Sequence, residues 1–390
     1  MNKEQHTPAQ LPGCEYAKKC GGCQLQNLSY QEQLAYKQST VRKLIGGFCR
    51  VEPIIGMAEP YHYRNKVQAA FGTDYRGNII SGVYQSSTHR IVSVSDCQIE
   101  DRTADKIITS IRKMMPKFKI TAYNERTAQG FLRHVLVKRG FSTGEVMVVL
   151  VASTPIFKPQ KAFVAALLEK HPEITTIILN INNKFTSLVL GQQEKVLYGK
   201  GYIEDVLCGC RFRISAKSFY QINPLQTEIL YSKAVEYAGL TGKEKVLDAY
   251  CGIGTIGMVA SRFADKVTGV ELNRDAVKDA IANAKLNEIK NCWFTCGDAS
   301  EFMAHMAAEG ETADVVFLDP PRAGSTEVFI QSLAHMAPER VVYISCNPET
   351  LARDLKTFAH HGYKAVKAQP VDMFPHTHHI ECVVQLVKKI

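Results

Sequence analysis

Hydrophobic and polar residues follow two different patterns along this chain of 390 residues. In the first part, short runs rich in Val, Ile, Tyr and Phe are separated by turn sequences such as Arg-Gly-Asn at 76–78. Runs of this kind, bounded by turn residues, indicate antiparallel β-strands. They cover residues 63–71, 79–84, 90–94, 131–138 and 145–152.

Helical spacing of apolar residues interrupts these strands at two places. The apolar residues of 29–45 recur at approximately the spacing of one helix face. A second predicted helix covers 157–171, and strands follow near 175–181 and 187–190. These elements predict an α+β domain in the first half of the chain.

From about residue 210 the pattern changes to alternating strands and helices. Predicted strands cover residues 245–248, 266–271, 292–296, 315–319 and 341–345. Predicted helices lie near 254–262, 274–287, 299–307, 326–336 and 348–360. This alternation is typical of a doubly wound, mostly parallel sheet, so we predict an α/β fold with a Rossmann-like C-terminal domain. We place the domains at 1–210 and 211–390, with a helix near 29–46 that can pack on the second domain.

Polar residues stand at the ends of five consecutive predicted strands. They are Asp248, Glu271, Asp298, Asp319 and Cys346. Doubly wound sheets bind their ligands beyond the carboxyl ends of the strands. Core packing does not explain five such residues, so we predict a ligand site at this edge.

The loop after the first of these strands has the pattern G-x-G-x-x-G at Gly252, Gly254 and Gly257. Enzymes that bind dinucleotides show the same pattern, so the glycines do not identify the cofactor. Glu271 lies 23 residues after Asp248, where a carboxylate can hold ribose hydroxyls. Asp248 could bind the amino acid end of S-adenosylmethionine, and a cysteine nucleophile has no task in hydride transfer. Both features favour S-adenosylmethionine over NAD.

Cys346 precedes Asn347-Pro348, a turn sequence that exposes the thiol, whereas burial as a small apolar residue is the alternative. A thiolate that adds to C6 of uracil leaves enolate character on C5, which can then take a methyl group. A base must afterwards remove the C5 proton. Glu381 is our candidate, because it begins an apolar strand where desolvation would raise its pKa. The competing bases are His376, His378 and His379.

The run Asp319-Pro-Pro-Arg322 supports a carbon acceptor. Its two prolines stiffen the backbone where a planar base could dock. Methyltransferases that act on amino groups of bases tend to carry an aromatic residue where this chain has Arg322. RNA cytosine-C5 methyltransferases typically carry a second cysteine directly after the proline, a place taken here by Pro321 and Arg322.

Four of the twelve cysteines form a pattern. Cys14, Cys20 and Cys23 lie within ten residues, with Gly21-Gly22 permitting a tight turn, and Cys97 is a remote fourth thiol. Four thiolates suit zinc and suit a [4Fe–4S] cluster equally, and the spacing does not choose between them. We expect a structural rather than a reactive centre.

The net charge of +9 is distributed unevenly. Residues 1–200 hold 27 Lys and Arg against 15 Asp and Glu, whereas residues 201–390 hold 20 against 23. Basic residues also alternate with aromatic ones, as in Tyr63-Arg64 and Tyr75-Arg76. A basic half of this kind predicts a phosphate-rich partner, and we expect an RNA whose target uridine is flipped into a cleft between the halves.

No run of about 18 apolar residues occurs, and the first residues lack the apolar core of a signal peptide. We therefore expect a cytoplasmic protein without a membrane partner. No feature implies a protein partner, so we expect a monomer.

The motifs together resemble those of the RNA uracil-C5 methyltransferases. The resemblance covers nearly the whole chain and is carried by the four cysteines, Ser218-Phe-Tyr-Gln-Ile-Asn223, Asp248-Ala-Tyr-Cys-Gly-Ile-Gly-Thr255, Leu318-Asp-Pro-Pro-Arg322, Ile344-Ser-Cys-Asn-Pro348 and His378-His-Ile-Glu381. It implies a class I methyltransferase domain that uses S-adenosylmethionine, with Cys346 as the nucleophile and Glu381 as the base. It also implies that the cofactor contacts Gln221, Tyr250, Thr255, Glu271, Asp298 and Asp319.

The resemblance is to the 23S ribosomal RNA branch, which implies a [4Fe–4S] cluster on Cys14, Cys20, Cys23 and Cys97. Many relatives carry a small RNA-binding β-barrel ahead of the cluster, but here 13 residues precede Cys14. This is similar to the shorter enzymes that modify uracil 747, whereas the gap between Cys14 and Cys20 is similar to the enzymes that modify uracil 1939. Tyr250 and Thr255 stand where relatives often have Phe and Asn. A transfer RNA uracil-54 methyltransferase and a non-catalytic RNA-binding protein are the alternatives.

Overall fold

The computed structural model describes residues 13–86 and 88–389. Its helices are α1 (Ala17–Cys20), α2 (Tyr30–Ile45), α3 (Arg102–Met114), α4 (Gln160–Lys170), α5 (Pro224–Ala238), α6 (Thr255–Ala260), α7 (Arg274–Leu286), α8 (Ala299–Ala308), α9 (Glu327–Met336) and α10 (Pro348–His360). Its strands are β1 (Arg50–Val51), β2 (Lys66–Thr73), β3 (Ile79–Tyr84), β4 (Ile91–Ser93), β5 (Leu132–Arg139), β6 (Val146–Ala152), β7 (Ile174–Ile181), β8 (Gln193–Tyr198), β9 (Ile203–Leu207), β10 (Cys210–Ile214), β11 (Lys245–Ala249), β12 (Lys266–Glu271), β13 (Cys292–Cys296), β14 (Val315–Leu318), β15 (Arg340–Ser345), β16 (Tyr363–Val371) and β17 (Glu381–Lys388).

The chain forms two compact units, and one of them is discontinuous in sequence. Unit 1 comprises Met1–Ser29, Ala58–Asp205 and Ile214–Lys217, and unit 2 comprises Tyr30–Met57, Val206–Arg213 and Ser218–Ile390. The predicted change of pattern near residue 210 falls in the short β9–β10 hairpin. The segment 30–57, which contains α2, belongs to unit 2.

Unit 1 is built on a seven-stranded sheet of order β4-β3-β2-β5-β6-β7-β8. All neighbouring strands are antiparallel except β6 and β7, which are parallel and flank the α4 crossover. The strands β5 and β6 are buried along almost their whole length, and their inward side chains pack with α3 and α4 in one apolar core. The predicted α+β organisation is confirmed here.

Two elements of unit 1 differ from the prediction. The strand predicted near 187–190 is wrong, because the strand after β7 is β8 at 193–198. The side chain of Asn180 accepts from the Gly191 amide at 2.7 Å and shapes the loop before β8, an interaction that strand periodicity does not reveal. Helix α3 was not predicted, although Asp101 caps it by accepting from the Ala104 amide at 3.0 Å.

Unit 2 is built on an eight-stranded sheet of order β1-β16-β17-β15-β14-β11-β12-β13. Every strand pair is parallel except those of β17, which runs antiparallel to both β15 and β16. The five predicted strands correspond to β11 to β15, and the five predicted helices correspond to α6 to α10. The predicted doubly wound α/β fold is confirmed for this unit.

The N-terminal segment of unit 2 completes both its sheet and its core. Strand β1 adds an edge strand next to β16, with Arg50 opposite Lys367. Val41 and Ile45 of α2 are fully buried in the same apolar core as β14, β15 and α10. Among the described residues, no helix combines the length and apolar character needed to cross a membrane.

Candidate active site and cysteine cavity

Antiparallel pairing of β15 and β17 brings the predicted nucleophile and base together. Ser345 at the end of β15 pairs with Cys382, so Cys346 and Glu381 both directly adjoin this last pair of the ladder. The thiol is partly exposed, whereas the carboxyl of Glu381 is almost fully buried. Two residues 35 positions apart in sequence therefore meet at one edge of the sheet.

The electrostatic surroundings of this pair favour the protonated forms of both groups. Burial raises the pKa of Cys346 to about 11, and the charges of Glu381 and Asp319 act in the same direction. Burial also raises the pKa of Glu381 well above its usual value, with a further contribution from Asp319. The guanidinium of Arg322 lowers both pKa values. In its deprotonated form, Glu381 is consequently a stronger base than a solvated carboxylate, and it holds the proton that it takes.

Asp319 follows β14, and the loop after it is tied to the helix that follows Cys346. Burial raises the pKa of Asp319 to about 7. Asn347 Nδ2 and Thr350 Oγ1 of the following helix segment donate to the Arg322 carbonyl at 3.4 and 3.2 Å. Arg353 donates to the Ala323 carbonyl at 2.8 Å. The Asp-Pro-Pro-Arg loop is thus held at a fixed place beside the thiol.

The glycine loop between β11 and α6 is held by two carboxylates. The Gly257 amide donates to Asp248 Oδ2 at 2.9 Å, and a Cβ at Gly257 would lie only 2.8 Å from that oxygen. The Gly252 amide donates to Glu271 Oε2 at 3.1 Å. Burial raises the pKa of Asp248 to about 8, and the charges of Asp319 and Glu271 add to the effect. Asp248 is buried, so it supports the loop from beneath, whereas Glu271 at the end of β12 remains partly exposed.

Two of the other predicted cofactor residues, Tyr250 and Thr255, belong to the same segment, and Asp298 and Gln221 lie elsewhere in unit 2. Tyr250 adopts a left-handed φ of 67°, and its ring lies 5.2 Å from that of Phe329. Thr255 begins α6, with its hydroxyl 2.9 Å from that of Tyr231. Asp298 caps α8 by accepting from the Ser300 and Glu301 amides. Gln221 lies in the turn before α5, and only 9% of its surface is exposed.

The three histidines that compete with Glu381 differ in environment. His376 is buried, and Gln33 of α2 bonds to both its amide nitrogen and its ring nitrogen, at 2.9 and 3.2 Å. His378 is exposed. His379 is partly exposed, with its Nε2 atom 3.4 Å from Arg322 Nη2. Glu381 is the one of the four that directly adjoins the last β15–β17 pair, next to the thiol's neighbour Ser345.

The four patterned cysteines of unit 1 line one cavity of about 290 Å³, which we call the cysteine cavity. Gly21, with a φ of 69°, makes the turn after α1 that places Cys20 and Cys23 on the same cavity. In the ranges described, no three His, Cys, Asp or Glu side chains lie close enough to hold a single metal ion.

Two polar atoms on the wall of the cysteine cavity lack hydrogen-bond partners within the described chain. They are Arg64 Nε and Gln26 Oε1, and both are buried. The charge of Arg64 acts directly on Cys23, whose pKa burial raises to about 11. A buried guanidinium N–H without an acceptor is costly, so this wall suits an anionic group that accepts hydrogen bonds. The chemistry of the four thiols with Arg64 therefore fits a thiolate-bound iron–sulfur cluster.

Sequence reasoning missed two parts of this arrangement. It treated Arg322 only as a departure from an aromatic residue, although its guanidinium acts on both Cys346 and Glu381. It also missed the buried pair of Lys37 and Asp372, whose Nζ and Oδ1 atoms lie 2.5 Å apart. The polar positions Gln33 and Lys37, four residues apart on one predicted helix, were an available signal of a polar contact within a core.

Comparisons with known proteins find similar sequences and a similar structure. A family described as tRNA (uracil-5-)-methyltransferase matches residues 29–389. An uncharacterized RNA methyltransferase of Bacillus cereus is 44% identical over 96% of this chain and 82% of its own length. One from Caldanaerobacter subterraneus is 44% identical over 98% of this chain and 85% of its own. The solved structure of a Pyrococcus abyssi tRNA (uracil-54, C5)-methyltransferase with S-adenosyl-L-homocysteine aligns with 94% of this chain and 86% of that one, at a TM-score of 0.77 and 29% identity.

Proposed function

The chain belongs to the tRNA (uracil-5-)-methyltransferase family, and on that premise we propose that it methylates C5 of a uridine in 23S ribosomal RNA through Cys346 and Glu381. It is an RNA methyltransferase that depends on S-adenosylmethionine. The observation that supports the assignment of the residues is the β15–β17 register, in which Ser345 and Cys382, the chain neighbours of the thiol and the carboxylate, form a pair.

The proposed reaction uses the two side chains in sequence. Cys346 Sγ, as the thiolate, bonds to C6 of uracil, and the electron pair of the C5–C6 bond moves to C5 and O4. S-adenosylmethionine, when bound, supplies the methyl group that C5 takes. Glu381 then removes the C5 proton, the C5–C6 double bond reforms, and the thiolate leaves C6. Burial suits Glu381 to this role because a raised pKa makes the carboxylate a stronger base.

Five of the six cofactor residues that we propose lie at the ends of parallel strands or in the loops that follow them, and Gln221 lies in the turn before α5. Glu271 would hold the ribose, and Asp298 and Tyr250 would flank the adenine side of the loop. Gln221, Thr255 and Asp319 would complete the site towards the methyl group. The support is the bond between the glycine loop and Glu271, in a fold whose Pyrococcus abyssi relative was solved with S-adenosyl-L-homocysteine.

Trapping the covalent intermediate tests the catalytic pair. Cys346→Ala should abolish both methylation and the RNA–protein adduct, whereas Glu381→Gln should form the adduct and accumulate it, because elimination needs the base. Denaturing gels with labelled RNA measure both. Cys208→Ala is the matched control, since Cys208 lies in the β9–β10 turn and should leave adduct and turnover unchanged. Normal turnover by Cys346→Ala would refute the assignment.

The cysteine cavity leads us to propose a [4Fe–4S] cluster on Cys14, Cys20, Cys23 and Cys97. Zinc lies about 2.3 Å from each of four thiolates, which would bring the sulfurs within about 4 Å of one another. The cavity of about 290 Å³ that all four cysteines line, with Arg64 Nε on its wall, supports the larger anionic cluster. Such a cluster would hold the local fold together through four bonds.

Metal analysis of protein purified without oxygen tests this proposal. Wild-type protein should contain about four iron and four sulfide per chain, and Cys97→Ser should lose most of both. Cys296→Ser, which removes an exposed thiol in unit 2, should keep them. Zinc at one per chain in place of iron would overturn the choice.

A second candidate substrate is transfer RNA. It is favoured by the 29% identity and TM-score of 0.77 to the Pyrococcus abyssi uracil-54 enzyme. Purified protein should methylate 23S ribosomal RNA, at uracil 747 or uracil 1939, and leave tRNA unmodified. Mapping of 5-methyluridine in both RNAs distinguishes the two, and methylation confined to tRNA would replace the ribosomal proposal.

A further inference from the structure

Arg322 lies on the exposed rim of the catalytic edge with a backbone that cannot move freely. Its carbonyl accepts from Asn347 and Thr350, so its position is set by the same helix segment that follows Cys346. Its side chain is exposed. An exposed guanidinium on a fixed backbone is arranged to meet a ligand that arrives from solvent.

The side chain is directed towards the reacting pair. Arg322 Nη2 lies 3.4 Å from Nε2 of His379. His379 lies two residues before Glu381, and Ser345 pairs with Cys382, so Cys346 and Glu381 both adjoin the last pair of the β15–β17 ladder. The charge of the same guanidinium lowers the pKa of Cys346 and of Glu381. The cation and the two reacting side chains lie at the same edge of the sheet.

The balance of charge at this edge calls for a cation. Burial raises the pKa of Asp248, Asp319 and Glu381, so these carboxyls contribute limited negative charge, whereas a nucleotide within RNA brings a charged phosphate on each side of its ribose. Among the groups whose charges act on Cys346, Arg322 is the cation. A guanidinium stays charged at all working pH values and binds phosphate oxygens through two parallel N–H groups.

We propose that Arg322, oriented by His379, binds a backbone phosphate adjacent to the target uridine. This inference rests on the proposed function, because it takes the uridine to lie at Cys346. The alternative role for the same guanidinium is to donate to a uracil carbonyl during attack at C6. Its exposure at the rim favours the phosphate, since the uracil ring must enter deeper to reach the thiol.

The contact between Arg322 and the phosphate is tested by removing the charge first from the phosphate and then from Arg322. The probe is a 23S ribosomal RNA hairpin with a methylphosphonate, which is uncharged, at the linkage 5′ or 3′ of the methylated uridine. With wild-type protein, one of these two RNAs should show a KM raised about tenfold, with little change in kcat. With Arg322→Gln, the KM for unmodified RNA should rise by a similar factor, and the same methylphosphonate should add nothing further.

Arg322→Lys keeps the charge and should recover part of the loss, which separates a charge contact from a defect in folding. Binding by Arg322→Gln should also show a salt slope lower by about 0.7, as expected for one phosphate on a single strand. Lys356→Ala is the control, since this exposed lysine lies two turns further along α10, away from the catalytic edge.

The outcomes are distinct. A loss of kcat at unchanged KM would assign Arg322 to the uracil ring and overturn the phosphate site. If the methylphosphonate raised KM for Arg322→Gln by the same factor as for the wild type, the two changes would act independently, which would also overturn the phosphate site. Absence of methylation of unmodified RNA by the wild type would refute the proposed function, and this inference with it.

Discussion

The thiol of Cys346 lies among groups that act on its proton in opposite directions. Burial and the carboxyls of Glu381 and Asp319 raise its pKa to about 11, and Arg322 lowers it. At neutral pH most of the thiol is therefore protonated, and its reactivity should rise as pH increases towards 11. The neighbours decide where in the pH range this rise occurs.

Substitutions of these neighbours should shift the reactivity of Cys346 in opposite directions. Glu381→Gln removes a carboxylate that raises the pKa, so alkylation of Cys346 should begin at lower pH. Arg322→Gln removes the charge that lowers the pKa, so alkylation should begin at higher pH. Iodoacetamide labelling of the Cys346 peptide, followed by mass spectrometry across pH, measures both. Shifts in the same direction for the two variants would contradict the described surroundings.

At this scale the sequence predicted which residues stand at strand ends but not which of them meet. Asp248, Glu271, Asp319 and Cys346 follow strands that simple periodicity locates. The closeness of Glu381 to Cys346 depends on the antiparallel placement of β17 between β15 and β16, which is a non-local pairing. The effect of Arg322 could not be predicted for the same reason, because its charge acts on Cys346 and Glu381 only once the fold has brought these residues together.

Helix α2 shows how an element can carry polar side chains into a core. Its buried face is made of Gln33, Lys37, Val41 and Ile45, at a spacing of four residues. Lys37 donates to Asp372 Oδ1 at 2.5 Å and to the Phe374 carbonyl at 3.0 Å, and Tyr30 donates to Asp372 Oδ2 at 2.9 Å. These bonds hold the segment that leads from β16 to Glu381.

Removal of one charge from this buried pair should destabilise unit 2 strongly. Lys37→Met leaves Asp372 buried without its cation, and we expect a loss of about 3 kcal/mol in the free energy of unfolding. Urea unfolding followed through Trp293, the single tryptophan and a residue of β13, reports on this unit. Lys43→Met on the exposed face of α2 is the control and should change stability little.

The double variant Lys37→Met with Asp372→Leu should recover part of the loss, because no unpaired charge remains in the core. Equal urea midpoints of unfolding for Lys37→Met and Lys43→Met would show that the buried pair of Lys37 and Asp372 contributes little to the stability of unit 2.

The junction of β11 and α6 has no room for a side chain at Gly257. A Cβ there would lie 2.8 Å from Asp248 Oδ2 and 3.3 Å from Val267 Cγ1. Gly257→Ala should displace the loop, and an overpacking cost of about 1–3 kcal/mol carried into binding would lower the affinity for S-adenosyl-L-homocysteine about 5- to 150-fold. Titration calorimetry measures the affinity. Gly47→Ala, in open space, should bind normally, and normal binding by Gly257→Ala would argue against the loop as the cofactor site.

Local patterns predicted elements better than they predicted their exact places. Strands β11 to β15 have strong apolar runs and were located to within one residue. Strand β8 is exposed along most of its length, so it offers no apolar run to detect. Helix α3 follows an aspartate cap that sequence inspection passed over, although six of its residues are buried.

The uneven charge of the whole chain should govern its affinity for RNA. The basic excess lies within residues 1–200. The logarithm of the binding constant for a ribosomal RNA hairpin should fall linearly with the logarithm of salt concentration, because counterions are released from the phosphates. Fluorescence anisotropy at increasing potassium chloride concentration measures this slope. A flat response would contradict an interaction with the phosphate backbone.

The arrangement into two units could be predicted only in part. The change of pattern near residue 210 falls at the β9–β10 hairpin, close to where the structure divides the chain. The inclusion of residues 30–57 in unit 2 depends on contacts between α2 and strands that lie hundreds of residues later. Periodicity within a short window carries no information about such contacts.

The place of α2 in the core of unit 2 also means that α2 can be packed only late in synthesis of the chain. Glu381 is added 336 residues after Ile45, which takes on the order of tens of seconds at roughly 5–20 residues per second. During this interval, while the intervening unit 1 is made, Val41 and Ile45 lack the later strands against which they pack. On stalled ribosomes, trypsin should therefore cut α2 at Arg42 and Lys43 in chains that end before β15, and cut it much more slowly once β17 has emerged.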